Sequence, residues 1–201
     1  QVSPESGEIV QEKVTQAVEI LQEQNVDLWI TFVRETSQVH DPVLDLLVGF
    51  DLTWPSALLI HRGGERIAIV GRYDAANLER LGADTSVIGY DQSIREPLLE
   101  TLKRLKPRRI GVNYSESDPA ADGLTYGMFR RLAQMLAPTP YCSRLMSAES
   151  VIASLRGRKT SAEIALIRAA IAHTEEAFKL LSARLKAGLT DLEIADFLHE
   201  Y

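Results

Sequence analysis

An α/β fold, a three-layer sandwich around a mixed sheet, is what this sequence predicts, and three observations predict it. Short apolar runs rich in β-branched residues alternate with longer segments whose apolar residues recur every three or four positions. Two of the short runs flank a Gly-Gly turn, so part of the sheet is antiparallel. At 201 residues, 45% hydrophobic and 25% charged, the chain can bury one full core and part of another.

The elements follow in order. Ile9, Val10, Val14, Ala17, Val18 and Leu21 mark a first helix with one buried face. Leu28-Trp29-Ile30-Thr31-Phe32-Val33 is short and β-rich, a buried strand. A polar stretch spans residues 34–41; Pro42 then suits the first turn of a short helix, with Asp41 as its N-cap and Gly49 after its end. Ala57-Leu58-Leu59-Ile60 and Ile67-Ala68-Ile69-Val70 surround Arg62-Gly63-Gly64-Glu65 as a hairpin. A helix over 74–81 is expected to stop at Gly82, and Val87-Ile88-Gly89-Tyr90 is the next strand. Residues 94–105 carry Leu98, Leu99, Leu102 and Leu105 on one helical side; Pro107 follows, then a strand over 109–113. A helix over 125–136 presents Phe129, Leu132 and Leu136, and a weak strand is expected over 141–144.

The tail carries the sharpest local signals. Thr160-Ser161-Ala162-Glu163 has the form of a capping box, in which a hydroxyl caps the first free N–H groups and a glutamate reaches back. Ile164, Ile167, Ile171, Phe178, Leu181 and Leu185 then keep one face of a long helix apolar, with Gly188 expected as its left-handed cap. Thr190-Asp191-Leu192-Glu193 is a second capping box, leading into Ile194, Phe197 and Leu198. An apolar stripe of that length has to be covered. The expected division is an α/β domain over 1–154 and, over 155–201, a linker and the first two helices of another domain, cut short at Tyr201.

Composition excludes several classes. A net charge of −6 argues against a nucleic-acid surface, and the basic group Lys103, Arg104, Lys106, Arg108 and Arg109 sits at a helix end, where cations are favoured. No apolar run has membrane-spanning length and the acidic start does not read as a signal peptide, so no membrane partner is expected. Cys142 is the only cysteine, which rules out an intrachain disulfide and fits a reducing, cytoplasmic compartment.

The tail also resembles a known family. Leu155-Arg156-Gly157-Arg158-Lys159-Thr160-Ser161-Ala162-Glu163-Ile164 and Gly188-Leu189-Thr190-Asp191-Leu192-Glu193-Ile194-Ala195 are similar to the linker and first helices of the catalytic domain in the creatinase/prolidase/aminopeptidase P superfamily. Asp191 stands where glutamate is usual. Upstream, Val26-Asp27-Leu28-Trp29-Ile30-Thr31 and Leu47-Val48-Gly49-Phe50 add to the likeness. The resemblance implies that the sheet domain is of the creatinase/prolidase N-terminal type and that the following helices open a pita-bread catalytic domain. It implies a metal-dependent Xaa-Pro peptidase, a prolidase or aminopeptidase P acting on short proline-containing peptides as a homodimer. Two divalent ions (Mn, Co or Zn) would be held by two Asp, one His and two Glu beyond Tyr201, so no metal ligand or catalytic residue is expected in this chain and it should be inactive alone. A binding or assembly domain of a metal-free relative, and a creatinase-like amidinohydrolase, are the alternatives.

In such dimers the loop after the first strand lies near the partner's active site, which points to residues 34–41. Arg34 would meet a substrate carboxylate with its planar fork, His40 and Asp41 would gate the pocket, and Trp54, before Pro55, would cover a proline ring. Each also has a plainer role open to it: Asp41 as a helix cap, His40 as a solvated loop residue, Arg34 as a partner of Glu35 or Asp51, and Trp54 as a lid on its own core. Trp29 reads as core, His61 as surface, and Cys142 as a small buried apolar residue. His199-Glu200 has no second histidine four residues on and reads as exposed helix.

Overall fold

The computed structural model describes residues 4–80 and 85–200. In chain order the elements are α1 (Pro4–Glu23), β1 (Leu28–Val33), α2 (Leu44–Leu47), β2 (Ser56–His61), β3 (Arg66–Gly71), α3 (Arg72–Arg80), β4 (Thr85–Tyr90), α4 (Arg95–Leu105), β5 (Ile110–Val112), α5 (Tyr126–Leu136), β6 (Leu145–Ser147), α6 (Glu149–Gly157), α7 (Ser161–Arg184) and α8 (Asp191–Glu200). The chain divides into two compact units, residues 1–158 and 159–201.

In the first unit one sheet runs in the order β4-β3-β2-β1-β5-β6. β1 pairs antiparallel with β2 and parallel with β5; β2 pairs antiparallel with β3, and β3–β4 and β5–β6 are parallel. The expected mixed sheet is therefore present, with β2 of the hairpin beside β1 at its middle. β1 is buried along its whole length, and its period of two sends alternate side chains to opposite layers. Trp29 and Val33 join α1, α2 and α6 in one core; Leu28, Ile30 and Phe32 join α4 and α5 in the other. Two separate cores on the two faces of one sheet are what make the architecture three-layered.

Several boundaries differ from expectation. α2 opens at Leu44 after Val43, which makes no side-chain cap, so Asp41 is not its N-cap. Gly49 does lie just past that helix, at φ +68°, where a Cβ would be strained. The strand expected over 141–144 is a 3-10 turn (Cys142–Arg144), with β6 following it. Thr139 Oγ1 accepts from the Tyr141 N–H and Tyr141 O accepts from the Arg144 N–H, which spends those groups locally and moves the pairing with β5 to Ile110↔Leu145. Leu81 and Gly82, the expected end of α3, lie outside the described residues. In the second unit α7 ends at Arg184, and Leu185 is extended, so Gly188 (φ +101°) serves the turn before α8 rather than the end of α7. Both capping boxes form: Thr160 Oγ1 accepts from the Glu163 N–H while Glu163 Oε2 accepts from the Thr160 N–H, and Thr190 and Glu193 repeat the pattern.

α6 has no counterpart in the sequence reading, and the expected division at residue 154 falls inside it. Val151, Ile152 and Leu155 pack into the α1 side of the core. A fully buried lysine fastens the two helices. Lys13 Nζ donates to Leu155 O at 2.6 Å, to Arg158 O at 2.7 Å and to Gln16 Oε1 at 2.9 Å. The ammonium thereby meets carbonyls at the carboxyl end of α6, where the helix dipole is negative. Gln24 adds bonds to Ser150 O and Ser154 Oγ.

Candidate functional site, a cleft at the carboxyl end of β1

Where β1 ends, the chain leaves the sheet through Arg34 and an abrupt turn at Glu35, whose φ is +44°. The loop is pinned to the segment that precedes β2. Glu35 N–H donates to Thr53 O at 2.9 Å and Thr36 N–H to Leu52 O at 3.0 Å. Buried Thr36 also donates its hydroxyl to Asp51 Oδ1 and accepts from the Leu52 N–H, both at 2.8 Å. Beside this double strap the first turns of α5 begin, opened by Thr125 as N-cap.

These three pieces enclose a cleft of about 460 Å³. Phe32, Val33 and Met128 supply apolar lining, Trp54 and Pro55 form one wall, and the polar groups are Arg34, Glu35, Gln38, Thr53, Thr125 and Arg131. Both guanidinium-bearing residues are exposed. The arrangement offers planar cationic forks beside an aromatic wall, a chemistry suited to a ligand with one carboxylate and one apolar ring.

Trp54 is held as a wall should be. Its indole lies tilted on Tyr90 with centroids 5.8 Å apart and meets Tyr73 edge-on at 6.0 Å. It rests against the backbone of Gly71, where an added Cβ would come within 2.8 Å of it. The Tyr90 hydroxyl donates to Pro55 O at 2.7 Å and fixes the same segment from below; burial pushes that phenol's pKa up.

The structure thus brings together Arg34 and Trp54, two of the four residues singled out from sequence, and places the other two elsewhere. His40 is exposed, its Nε2 3.6 Å from Asp45 Oδ2, and does not line the cleft. Asp41 is 1% exposed, too deep to meet a ligand directly. Its Oδ2 accepts from Asn113 Nδ2 at 2.8 Å and its Oδ1 from the Val43 N–H at 3.0 Å. Asn113 in turn donates to Thr31 Oγ1 at 3.2 Å and accepts from the Trp29 indole N–H at 2.6 Å. Burial pushes the Asp41 carboxyl above the usual carboxylate range, against the opposing pull of its bonds from Asn113 and Val43 and of nearby His40. Gly123, which lines the cleft, sits directly on the carboxylate; a Cβ there would overlap it. Asp41 therefore lies beneath the cleft and ties the ends of β1, β5 and the segment before α5 together.

Arg131 was not visible in the sequence as a site residue. It sits three positions after buried Met128, and only the docking of α5 beside the 34–39 loop turns it toward Arg34's cleft. Its position on the polar face of an amphipathic helix is the one signal available, and many solvated arginines share it.

Among the described residues no three His, Cys, Asp or Glu side chains gather as metal ligands would. The described residues do not fit a two-metal centre. No helix among the described residues is long and apolar enough to cross a membrane.

No protein-family model matches the sequence, and no curated protein matches it. Solved structures do. The X-Pro aminopeptidase of Thermotoga maritima MSB8 is 21% identical with a TM-score of 0.60, over 93% of this chain and 48% of its own. The dipeptidase PepE of Mycobacterium ulcerans is 18% identical with a TM-score of 0.64, over 96% of this chain and 49% of its own. A proline dipeptidase structure from Streptococcus pneumoniae, 14% identical with a TM-score of 0.54, is matched over 73% of this chain and 98% of its own. The chain spans about half the length of the first two. At these identities the likeness is one of fold, and it agrees with the expected α/β architecture with a mixed sheet.

Proposed function

We propose that this chain is the amino-terminal part of a metal-dependent Xaa-Pro peptidase of prolidase or aminopeptidase P type, acting in the cytoplasm on short proline-containing peptides. The observation that carries this reading is a coincidence of two independent likenesses. The fold matches X-Pro peptidase structures over nearly all of this chain and about half of theirs, and the linker and capped helices at residues 155–195 repeat the superfamily's sequence pattern. The two divalent ions that such a peptidase uses, Mn, Co or Zn, are assigned to no residue of this chain.

The α/β unit then serves a homodimer by shaping access to the partner's active site. In the cleft, Arg34 and Arg131 offer forks to a peptide carboxylate and Trp54 offers a flat apolar face to a proline ring. Asp41 acts indirectly, by holding the loop and Gly123 in place.

The test has two arms. The 201-residue chain, incubated with Mn, Co or Zn salts and an Xaa-Pro dipeptide, is expected to show no hydrolysis. Metal-dependent turnover by this chain would overturn the assignment. In the full-length peptidase, Arg34→Ala is expected to raise KM about tenfold, the loss of one charge-assisted hydrogen bond, with kcat little changed. An unchanged KM would remove Arg34 from the pocket.

A further inference from the structure

Opposite charges stand together in the cleft without neutralising one another. Elsewhere in the first unit arginines pair with carboxylates, as Arg62 does with Asp27, Arg104 with Glu65 and Arg158 with Glu23. Arg34, Glu35 and Arg131 all line the cleft, and among the described residues their side chains make no ion pair or hydrogen bond. Arg34 and Glu35 are consecutive, and in an extended strand they would point to opposite faces. The left-handed backbone at Glu35 (φ +44°) breaks that alternation and brings both to one cleft. Such backbone is uncommon for a glutamate. Here it is held from three directions: Glu35 N–H donates to Thr53 O at 2.9 Å, and Glu35 O accepts from the Gln38 N–H at 2.9 Å and the Val39 N–H at 3.0 Å. Strain persists where surrounding bonds over-determine it, and positions of that kind cluster at ligand sites. Arg131 comes from the other side. Burial raises the pKa of the Tyr90 phenol and the positive charge of Arg131 opposes that rise, so the guanidinium lies near the ring on which Trp54 is tilted.

We propose that this cleft binds free proline in its zwitterionic form, the carboxylate on Arg34 and Arg131, the secondary ammonium on Glu35 and the ring on Trp54. Three groups of different chemistry on one small molecule meet three on the protein. A guanidinium fork gives a carboxylate two parallel bonds, and a glutamate accepts from a protonated nitrogen. The ammonium and the carboxylate of proline sit on the same carbon, so they need an acceptor and a donor side by side, as consecutive Glu35 and Arg34 provide. The choice of proline among ring-bearing amino acids rests on the peptidase reading, in which proline is the product released. Glu35 separates that product from the substrate. In an Xaa-Pro peptide the proline nitrogen is an uncharged amide with no proton to donate, so Glu35 has no partner there. Hydrolysis breaks the C–N bond, the freed nitrogen is protonated, and the cleft gains a charge-assisted bond. The cleft therefore favours the released imino acid over the peptide end it came from. Product then competes with substrate for the same arginines and the same indole.

The site is tested on the 201-residue chain by nuclear magnetic resonance. L-Proline is expected to shift the Trp54 indole N–H and Gly123 amide resonances saturably, with a single dissociation constant. N-acetyl-L-proline lacks the ammonium and L-prolinamide lacks the carboxylate, and each is expected to bind about tenfold more weakly. Glu35→Gln is expected to weaken L-proline about tenfold and to erase its advantage over N-acetyl-L-proline. Arg34→Ala is expected to weaken both of these ligands alike. An absence of saturable shifts, equal affinity for L-proline and N-acetyl-L-proline, or a Glu35→Gln variant as tight as the parent would each overturn the proposal. The KM of Arg34→Ala in the full-length peptidase reports separately on the substrate. An unchanged KM beside selective proline binding would end the pocket reading and leave the proline site standing. A raised KM beside indiscriminate binding would end the proline site and leave the pocket reading standing.

Discussion

Residues 1–158 and 159–201 are built on opposite balances of local and tertiary forces. In the first unit every residue of β1 is buried, and the sheet has a closed core on each face. In the second, α7 has no buried residue, yet both of its helices carry complete capping boxes. The first unit is held by what lies far away in sequence. Lys13 reaches carbonyls more than a hundred positions on, and Trp29 reaches Asn113. The second is held at its ends by hydroxyls and glutamates three residues apart. The ends of a helix can thus be specified by side chains three residues apart, without a distant partner.

The comparison is broken most forcefully inside the first unit. Leu102→Ala, at a fully buried position of α4, is expected to cost about 2–5 kcal/mol through lost transfer energy and a residual cavity. The same kind of truncation at exposed Ile171 should leave the urea midpoint of the sheet unit within about 0.5 kcal/mol of the parent value. Equal effects at the two positions would mean that the units unfold as one body.

Lys13→Met comes next. It keeps most of the buried volume but removes the three donors that meet Leu155, Arg158 and Gln16. About 1.5–3 kcal/mol of stability should be lost, with amide exchange at the carboxyl end of α6 accelerated first. Normal protection there would show that apolar packing alone seats α6.

Thr160→Ala should act only in the second unit. The loss of the cap is expected to cost α7 about 0.5–2 kcal/mol, seen as faster exchange in its first turn with the melting of the sheet unit unchanged.

The smallest effect concerns pH and sharpens what the first unit buries. Asp41 has its carboxyl pKa raised by burial. Between the ordinary aspartate value and that raised one, the folded state binds more protons than the unfolded state, so stability falls as pH rises through this window and then levels off. Asp41→Asn should flatten that slope, so the parent gains on the variant as the solution is made acid. A difference between the two that is constant with pH would show that Asp41 titrates normally.

Much of the fold was legible because it is written in period and punctuation. The short β-rich run of β1, the hairpin around Gly63-Gly64 and the Leu98–Leu102 face of α4 are local patterns, and the structure has them within a residue or two. β6 and α6 were not legible. β6 is three residues long and exists through its pairing with β5, and α6 is a helix because α1 offers it a lysine and an apolar surface. The cleft was half legible. Arg34 and Trp54 flank strands and announce themselves, whereas Arg131 looks like any solvated arginine until α5 docks. Asp41 was legible as a polar loop residue beside a proline, and its burial under Gly123 was not.

By itself, then, the sequence determined the alternation of strands and helices, the hairpin and the two capped helices of the tail. All of these depend on interactions within about one turn or one strand, where side-chain spacing is enough. Tertiary structure alone decided the strand order, the depth of Asp41 and Lys13, and the meeting of Arg34 with Arg131. Each of those requires chain segments tens of residues apart to arrive together, and which polar groups end up sharing a dry interior follows from that packing rather than from any local pattern.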